Sequence, residues 1–372
     1  MQIGVPTERS PGEARVAVTP ETVKRLKSRG YDVRVETGAG VQACITDNAF
    51  LDAGASMTDA RGALACDLVL KVRIPSPDEL RSMRPGATLV GMLDPFEPEG
   101  LDHLARAGLT SFALEAAPRT SRAQSMDVLS SQANIAGYKA VVVAAARYPR
   151  FFPMLMTAAG TVKAAKVVVL GVGVAGLQAI ATAKRLGASV EACDVRPSVK
   201  EQVESLGAKF IDVPCETDEE RTAAEGSGGY ARPMPQSWLD RQRLQVAKQI
   251  ARADIVITTA LIPGRLAPVL ITEEMVKTMR AGSVIVDLAA SNGGNCPLTV
   301  AGETVKAHGV SIVGETDLPA QASADASSLY ARNVLSFLNL IIDGEGKLHV
   351  PMDDDIVAAC LVTHQGNVTR GK

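Results

Sequence analysis

Glycines 171, 173 and 176 stand between an apolar run, Val167 to Leu170, and a helical stretch that begins near Val174, which gives the G-x-G-x-x-G spacing. The chemistry such a turn serves is the holding of a pyrophosphate. The first glycine permits a tight turn, the second admits the phosphate close to the backbone, and the third lets the helix pack on the strand. Unpaired N–H groups at the start of the helix then point at the anion. Spaced glycines alone are weak evidence, but here a strand precedes, a helix follows, and Asp194 ends the next strand, Ser189 to Cys193. An acid there bonds ribose hydroxyls and repels a 2′-phosphate, which favours NAD. Arg196, two residues on, keeps NADP open. Gly171, Gly173, Val174, Gly176, Asp194, Val195 and Arg196 are the expected cofactor contacts of this segment.

A second set of chemistry-bearing residues is Arg119, Gln124, Asp127 and Ser130, which follow the strand Thr110 to Leu114. The carboxyl end of a parallel strand is where open α/β sheets bind ligands. The same residues also read as a helix start with Ser125 or Asp127 as its cap. Ala260 and Leu261 leave another strand, Asp254 to Ala260, at its carboxyl end and join the cofactor set. The six cysteines contain no C-x-x-C pair and no histidine lies at ligand spacing, so neither a metal site nor a disulfide framework is expected.

The elements that must position these groups alternate strand and short helix, which predicts two doubly wound, Rossmann-like parallel-sheet α/β domains with a cleft between them. The first covers 1–132 and is completed by 320–372, where the apolar-periodic helix Leu329 to Ile342 returns to it. The second, 133–319, is the NAD-binding domain, entered through a linking helix, Ala133 to Ala146. Pro214 to Pro235 breaks the alternation and is expected to be a mobile lid over the nucleotide, with Tyr230 its useful side chain.

Composition narrows the function classes. A chain of 372 residues with 46% hydrophobic content can build two cores. A net charge of -2 gives no electrostatic case for nucleic acid or an anionic membrane surface. No apolar run approaches the ~18 residues of a spanning helix, and the opening MQIGVP is expected to be a strand, not a signal peptide. Scattered cysteines fit a reducing cytoplasm.

The run PRTSRAQSMDVLSSQANIAGYKAV, with TTALIPG, EEMV, GSVIVDLA, GGNCPLT and DASSLYARNVLSFL, resembles the NAD(H)-binding alpha subunit of proton-translocating NAD(P) transhydrogenase over essentially the whole chain. The resemblance implies that Gln124 bonds the nicotinamide ribose and faces an NADP(H)-binding component, with Arg119, Asp127 and Ser130 holding ring and loop, and it adds Gln132 to the cofactor set. It also implies a homodimer, and partner subunits that supply the NADP(H) site and the membrane. The chain is then peripheral at the inner face of the bacterial cytoplasmic membrane. Its end at Lys372 points to the arrangement in which separate polypeptides carry the proton channel.

Alanine dehydrogenase is the competing resemblance. Its substrate-binding arginine and lysine match Arg15 and Lys71, but Asp94 stands where its histidine acid/base belongs and Ser291 where its aspartate does. Oxidising an amino acid moves protons and water and needs a general acid/base. Hydride passage between two nicotinamide rings needs orientation alone. A silent NAD(H) sensor is the remaining alternative.

Overall fold

The computed structural model describes residues 1–225, 234–262 and 264–369. It divides into two units, Met1–Gln132 with Pro319–Lys372, and Ala133–Leu318.

In the first unit, strands β1 (Gln2–Val5), β2 (Asp32–Glu36), β3 (Ser56–Thr58), β4 (Leu68–Leu70), β5 (Thr88–Gly91) and β6 (Thr110–Ala113) pair in parallel. Two strands from the C-terminal segment, Leu361–His364 and Asn367–Val368, extend the sheet antiparallel beyond β6. They are not expected from sequence, because such short segments are too brief to show a strand period. Runs such as Leu68-Val69-Leu70 are buried throughout, as a sheet covered on both faces requires. The helix Ser323–Ile341 covers one face, begins six residues before the expected Leu329, and buries Tyr330, Val334, Phe337 and Leu338. Phe337 meets Phe112 of β6 at 5.3 Å between ring centroids, a tilted contact of the favourable kind.

In the second unit, a small antiparallel hairpin of β7 (Leu155–Thr157) and β8 (Gly160–Val162) precedes the main sheet. That sheet holds β9 (Lys166–Leu170), β10 (Ser189–Cys193), β11 (Lys209–Phe210), β12 (Ile255–Thr258), β13 (Val284–Asp287), β14 (Thr304–Ala307) and β15 (Val310–Val313). The order β11-β10-β9-β12-β13-β15-β14 reverses direction between β9 and β12, the switch point at which such sheets bind ligands. Beyond β15 the sheet gains a further strand, β14, which lies at its edge and runs antiparallel. The turn Ala307-His308-Gly309-Val310, with His308 and Gly309 at φ 50° and 80°, forms that hairpin. Within 214–235, residues Asp218–Glu225 form a helix, and 226–233 lie outside the described residues.

The linking helix is longer than expected, Val128–Arg147. A Cβ at its Gly137 would stand 2.1 Å from the Ala175 carbonyl oxygen and 2.9 Å from the Ala175 carbonyl carbon. The absence of a side chain at 137 therefore lets this helix touch the first turn of helix Val174–Arg185.

Candidate functional site

The three glycines occupy distinct environments. Gly171 has φ 94°, a left-handed value that an L side chain rarely adopts. A Cβ at Gly176 would lie 2.0 Å from the Gly171 carbonyl oxygen, so helix Val174–Arg185 seats directly on the turn. At Gly173 a Cβ would meet nothing within 4 Å. Its bare backbone opens outward at the amino end of a 12-residue helix that has no side-chain cap. These are the conditions an anion needs: accessible N–H groups and a positive dipole end. Thr259 braces the turn by donating from Oγ1 to the Gly171 carbonyl at 2.9 Å.

Asp194, at the end of β10, reaches back to the same turn and accepts the Val172 N–H at 2.7 Å. Its carboxylate also takes the Arg196 Nε at 2.9 Å, the Arg196 Nη2 at 3.0 Å and the Arg196 main-chain N–H at 2.9 Å. Beside the pair lies a cavity of about 220 Å³. Gly171, Asp194, Val195 and Ala260 line it, as does an apolar wall of Leu170, Val246, Pro268, Val269 and Leu270. Four of the expected cofactor residues thus meet in one place. Leu261 is exposed on the loop that follows, and Tyr230 lies outside the described residues.

Among the residues missed from sequence are Leu239, Gln242, Arg243 and Val246, which close the cavity from helix Gln236–Ile250. Their spacing is one helical face, a signal present in the sequence but unreadable as a site without knowing where the helix packs. Cys193 also lines the cavity, and burial pushes its thiol up to about 12. It provides an apolar surface, not a nucleophile. Among the described residues, the lining contains no histidine.

In the first unit, Gln124 is exposed on a short 3-10 helix, Ser121–Met126, that follows β6 by way of the exposed Arg119. Asp127 then accepts the Ser130 N–H at 2.8 Å and the Ser130 hydroxyl at 2.5 Å. It caps helix Val128–Arg147, as the plain capping alternative expects. The loop is pinned from both sides. Asn333 donates to the Ser125 carbonyl at 2.9 Å, and Arg122 forms a two-pronged pair with Asp354 at 2.7 and 2.8 Å while also contacting Asp355. The hydrogen bonds of Arg122 hold the Asp354 carboxyl at about 2.

Gln132 is buried and engaged at both ends of its amide, accepting from Arg15 Nη1 at 2.8 Å and donating to the Ala326 carbonyl at 3.1 Å. Arg15 in turn grips Glu13 through Nε and Nη2 at 2.7 and 2.5 Å. Burial alone would raise the Glu13 carboxyl, yet the bonds and charge of Arg15 bring it to about 2. Lys71, 1% exposed, donates to Glu79 at 2.7 Å and lies 3.4 Å from Glu8. Both cations therefore have buried carboxylate partners in the fold, which is what a buried charge requires. Asp94 adopts φ 51° and donates its N–H to Glu115 at 2.7 Å. Ser291 is exposed and donates to Asn292 at 2.9 Å.

Residues 4–136 match the N-terminal domain, and residues 140–371 the C-terminal domain, of the alanine dehydrogenase/PNT family. The chain is 51% identical to an NAD(P) transhydrogenase alpha-subunit polypeptide of Rhodospirillum rubrum, across 99% of this chain and 97% of that protein. A solved transhydrogenase structure from Sinorhizobium meliloti superposes with a TM-score of 0.90 at 48% identity, covering 99% of this chain and 100% of that one. Alanine dehydrogenase of Bacillus subtilis is 31% identical across 99% and 93% of the two chains. No described helix is long and apolar enough to cross a membrane. The glycine turn, the acid that closes on it and the two Rossmann-like sheets are therefore those of a member of the alanine dehydrogenase/PNT family, on the branch of the NAD(P) transhydrogenase alpha subunits.

Proposed function

We propose that this chain binds NAD(H) in its second unit and exchanges a hydride with NADP(H) carried by a partner polypeptide. The observation that carries the reading is the joining of Gly171, Asp194, Val195 and Ala260 around one cavity beside the open backbone of Gly173. Bound NADH supplies a hydride from C4 of its dihydronicotinamide. The chain's role is to hold and orient: the helix start at Val174 takes the pyrophosphate, Asp194 the ribose hydroxyls, and the apolar wall the adenine. Gln124 fixes the nicotinamide ribose on a loop held by Asp127, Ser130, Asn333 and Arg122, with Arg119 beside it.

No proton moves at the reacting carbons, so the reaction needs no acid/base on this chain. Asp94 and Ser291 at the alanine dehydrogenase positions agree with that, and the carboxylate partners of Arg15 and Lys71 suit a structural role better than capture of a keto acid. We further propose that the chain works as a homodimer and docks at the cytoplasmic face of membrane subunits that couple transfer to proton movement. The apolar exposure of Met154, Leu155 and Met156 around the β7–β8 hairpin, 60%, 38% and 72%, suits burial against a second copy.

The test mixes the purified chain with an NADP(H)-binding partner subunit and follows hydride transfer from NADH to an oxidised NADP analogue, omitting each component in turn. Transfer is expected only with both proteins present. Oxidation of L-alanine with NAD+ by this chain alone would overturn the reading in favour of a dehydrogenase.

A further inference from the structure

Asn295 is fully buried just beyond the carboxyl end of β13, and every polar atom it carries is hydrogen-bonded. Its side-chain nitrogen donates to the Ala260 carbonyl at 2.9 Å and the Pro268 carbonyl at 2.8 Å, and its side-chain oxygen accepts the Ala260 N–H at 3.2 Å. Its main-chain carbonyl accepts the N–H groups of Leu270 and Ile271 at 2.9 and 3.0 Å. One residue therefore ties Ala260, at the start of the loop that follows β12, to Pro268, Leu270 and Ile271 at its return. Ala260, Pro268, Val269 and Leu270 are the portions of that loop that line the cavity.

Asn295 is itself anchored. Its N–H donates to Asp287 Oδ2 at 2.8 Å. Asp287, 1% exposed at the end of β13, also accepts the Thr258 hydroxyl of β12 at 3.0 Å, the Thr299 hydroxyl at 2.7 Å, and the N–H groups of Ala289 and Cys296 at 3.0 and 3.2 Å. Gly294, at φ 77°, brings the chain over this carboxylate, where a Cβ would stand 2.9 Å from Oδ2. The path from the sheet through Asp287 and Asn295 to the cavity wall is continuous and buried, the condition under which a side chain holds its neighbours to one geometry.

We propose that Asn295, anchored by Asp287, is a positioning residue that sets the distance between the wall of Ala260 and Pro268–Leu270 and Asp194, and so the fit of a nucleoside in the cavity. The inference rests on the NAD(H) reading of that cavity. Asparagine is needed because the wall offers two carbonyls and one N–H, and only an amide supplies two donors and an acceptor at that length. Gln242 and Arg243 line the cavity from helix Gln236–Ile250, which the amide does not touch, so the loop is the part of the wall whose position the amide decides.

The test is Asn295→Asp, which keeps the shape and removes both donors. NADH is titrated calorimetrically into the full chain. At about pH 8 the introduced carboxylate faces the Ala260 and Pro268 carbonyls, on a residue whose N–H already binds the Asp287 carboxylate, and NADH affinity is expected to fall at least ~10-fold. At about pH 6 protonation restores one donor, and affinity should recover several-fold while the parent protein changes little. Thermal unfolding of the variant at both pH values separates the roles, because a purely structural role would lower affinity only where the variant is partly unfolded, whereas positioning lowers it in the fully folded variant. Asn295→Ala, which adds no charge, should bind weakly at both pH values. Parent-like affinity in Asn295→Asp at about pH 8 or in Asn295→Ala at either pH, or loss of folding in both, would overturn the proposal. Failure of the parent chain to bind NADH would instead overturn the nucleotide reading on which it stands.

Discussion

Arg196 clasps the Asp194 carboxylate through Nε and Nη2 at 2.9 and 3.0 Å, on the same acid that accepts the Val172 N–H of the glycine turn. The acid is thus positioned by a cation that could itself take a phosphate. Burial is shared, with side-chain exposures of 7% for Asp194 and 21% for Arg196, so the pair counts for more than a surface salt bridge.

Removing the acid should therefore change specificity as well as affinity. Asp194→Ala releases the guanidinium from its carboxylate and deletes the repulsion of a 2′-phosphate, and the preference for NADH over NADPH should drop by about tenfold or more. Arg196→Ala should move the preference the other way. Competition of the two nucleotides in equilibrium binding reads both, and an unchanged preference in Asp194→Ala would show that the acid does not read the ribose.

Gln124 is exposed on a loop whose neighbours hold it, which suits orientation more than binding energy. Gln124→Asn shortens its reach by one methylene. Hydride transfer in the two-component assay should fall by about a hundredfold while NADH affinity changes by less than about threefold. Equal losses in both would sink the positioning role.

Gly137→Ala tests the contact beneath the glycine turn. The new Cβ would lie 2.1 Å from a carbonyl oxygen, 2.9 Å from a carbonyl carbon and 3.0 Å from a Cα, all main-chain atoms of Ala175. Backbone gives way less readily than side-chain tips, so the variant should lose on the order of 1–3 kcal/mol of stability. It should also bind NADH more weakly, because the amino end of helix Val174–Arg185 is displaced. Thermal unfolding and titration in parallel decide it, and a variant as stable as the parent would refute the packing account.

Stability should also depend on pH in two windows. Burial pushes the Glu115 carboxyl up from 4.5 to about 7, while the Asp94 N–H bond offsets some of that rise. A carboxyl raised on folding binds its proton more tightly in the native state, so stability falls as pH rises from about 4.5 to about 7. Glu8, pushed up by burial against the attraction of Lys71, adds to the same slope. Glu13 acts oppositely: held at about 2, its contribution is present above 4.5 and is lost as pH falls toward 2. Glu115→Gln keeps an acceptor for Asp94 and should be more stable than the parent by on the order of 1–3 kcal/mol at pH 8, with no gain at pH 4. Denaturant unfolding at the two pH values measures this, and a gain independent of pH would assign the effect to packing instead.

The elements written in local patterns were legible. Val167 to Leu170, Ile255 to Thr258 and Val284 to Asp287 announce buried parallel strands because a sheet covered on both faces needs apolar side chains at almost every position. The glycine turn and Asp194 were legible because each answers a local demand of backbone or charge. The site beyond them was not. Helix Gln236–Ile250 shows a usable face only when its packing is known, and the β7–β8 hairpin and the antiparallel strands Leu361–His364 and Asn367–Val368 are too short to carry a period.

By itself, then, the sequence determined the two Rossmann-like sheets, the glycine turn between strand and helix, and the family. Periodicity and turn chemistry act over a few residues and survive without knowledge of the rest. Tertiary structure alone decided that Asp287 and Asn295 anchor the cavity wall, that Gly137 admits Ala175, and that Arg15 and Lys71 are matched by Glu13, Glu8 and Glu79. Such contacts depend on how distant segments register against one another, and a buried polar group finds its partner wherever the folded chain brings one within hydrogen-bonding distance.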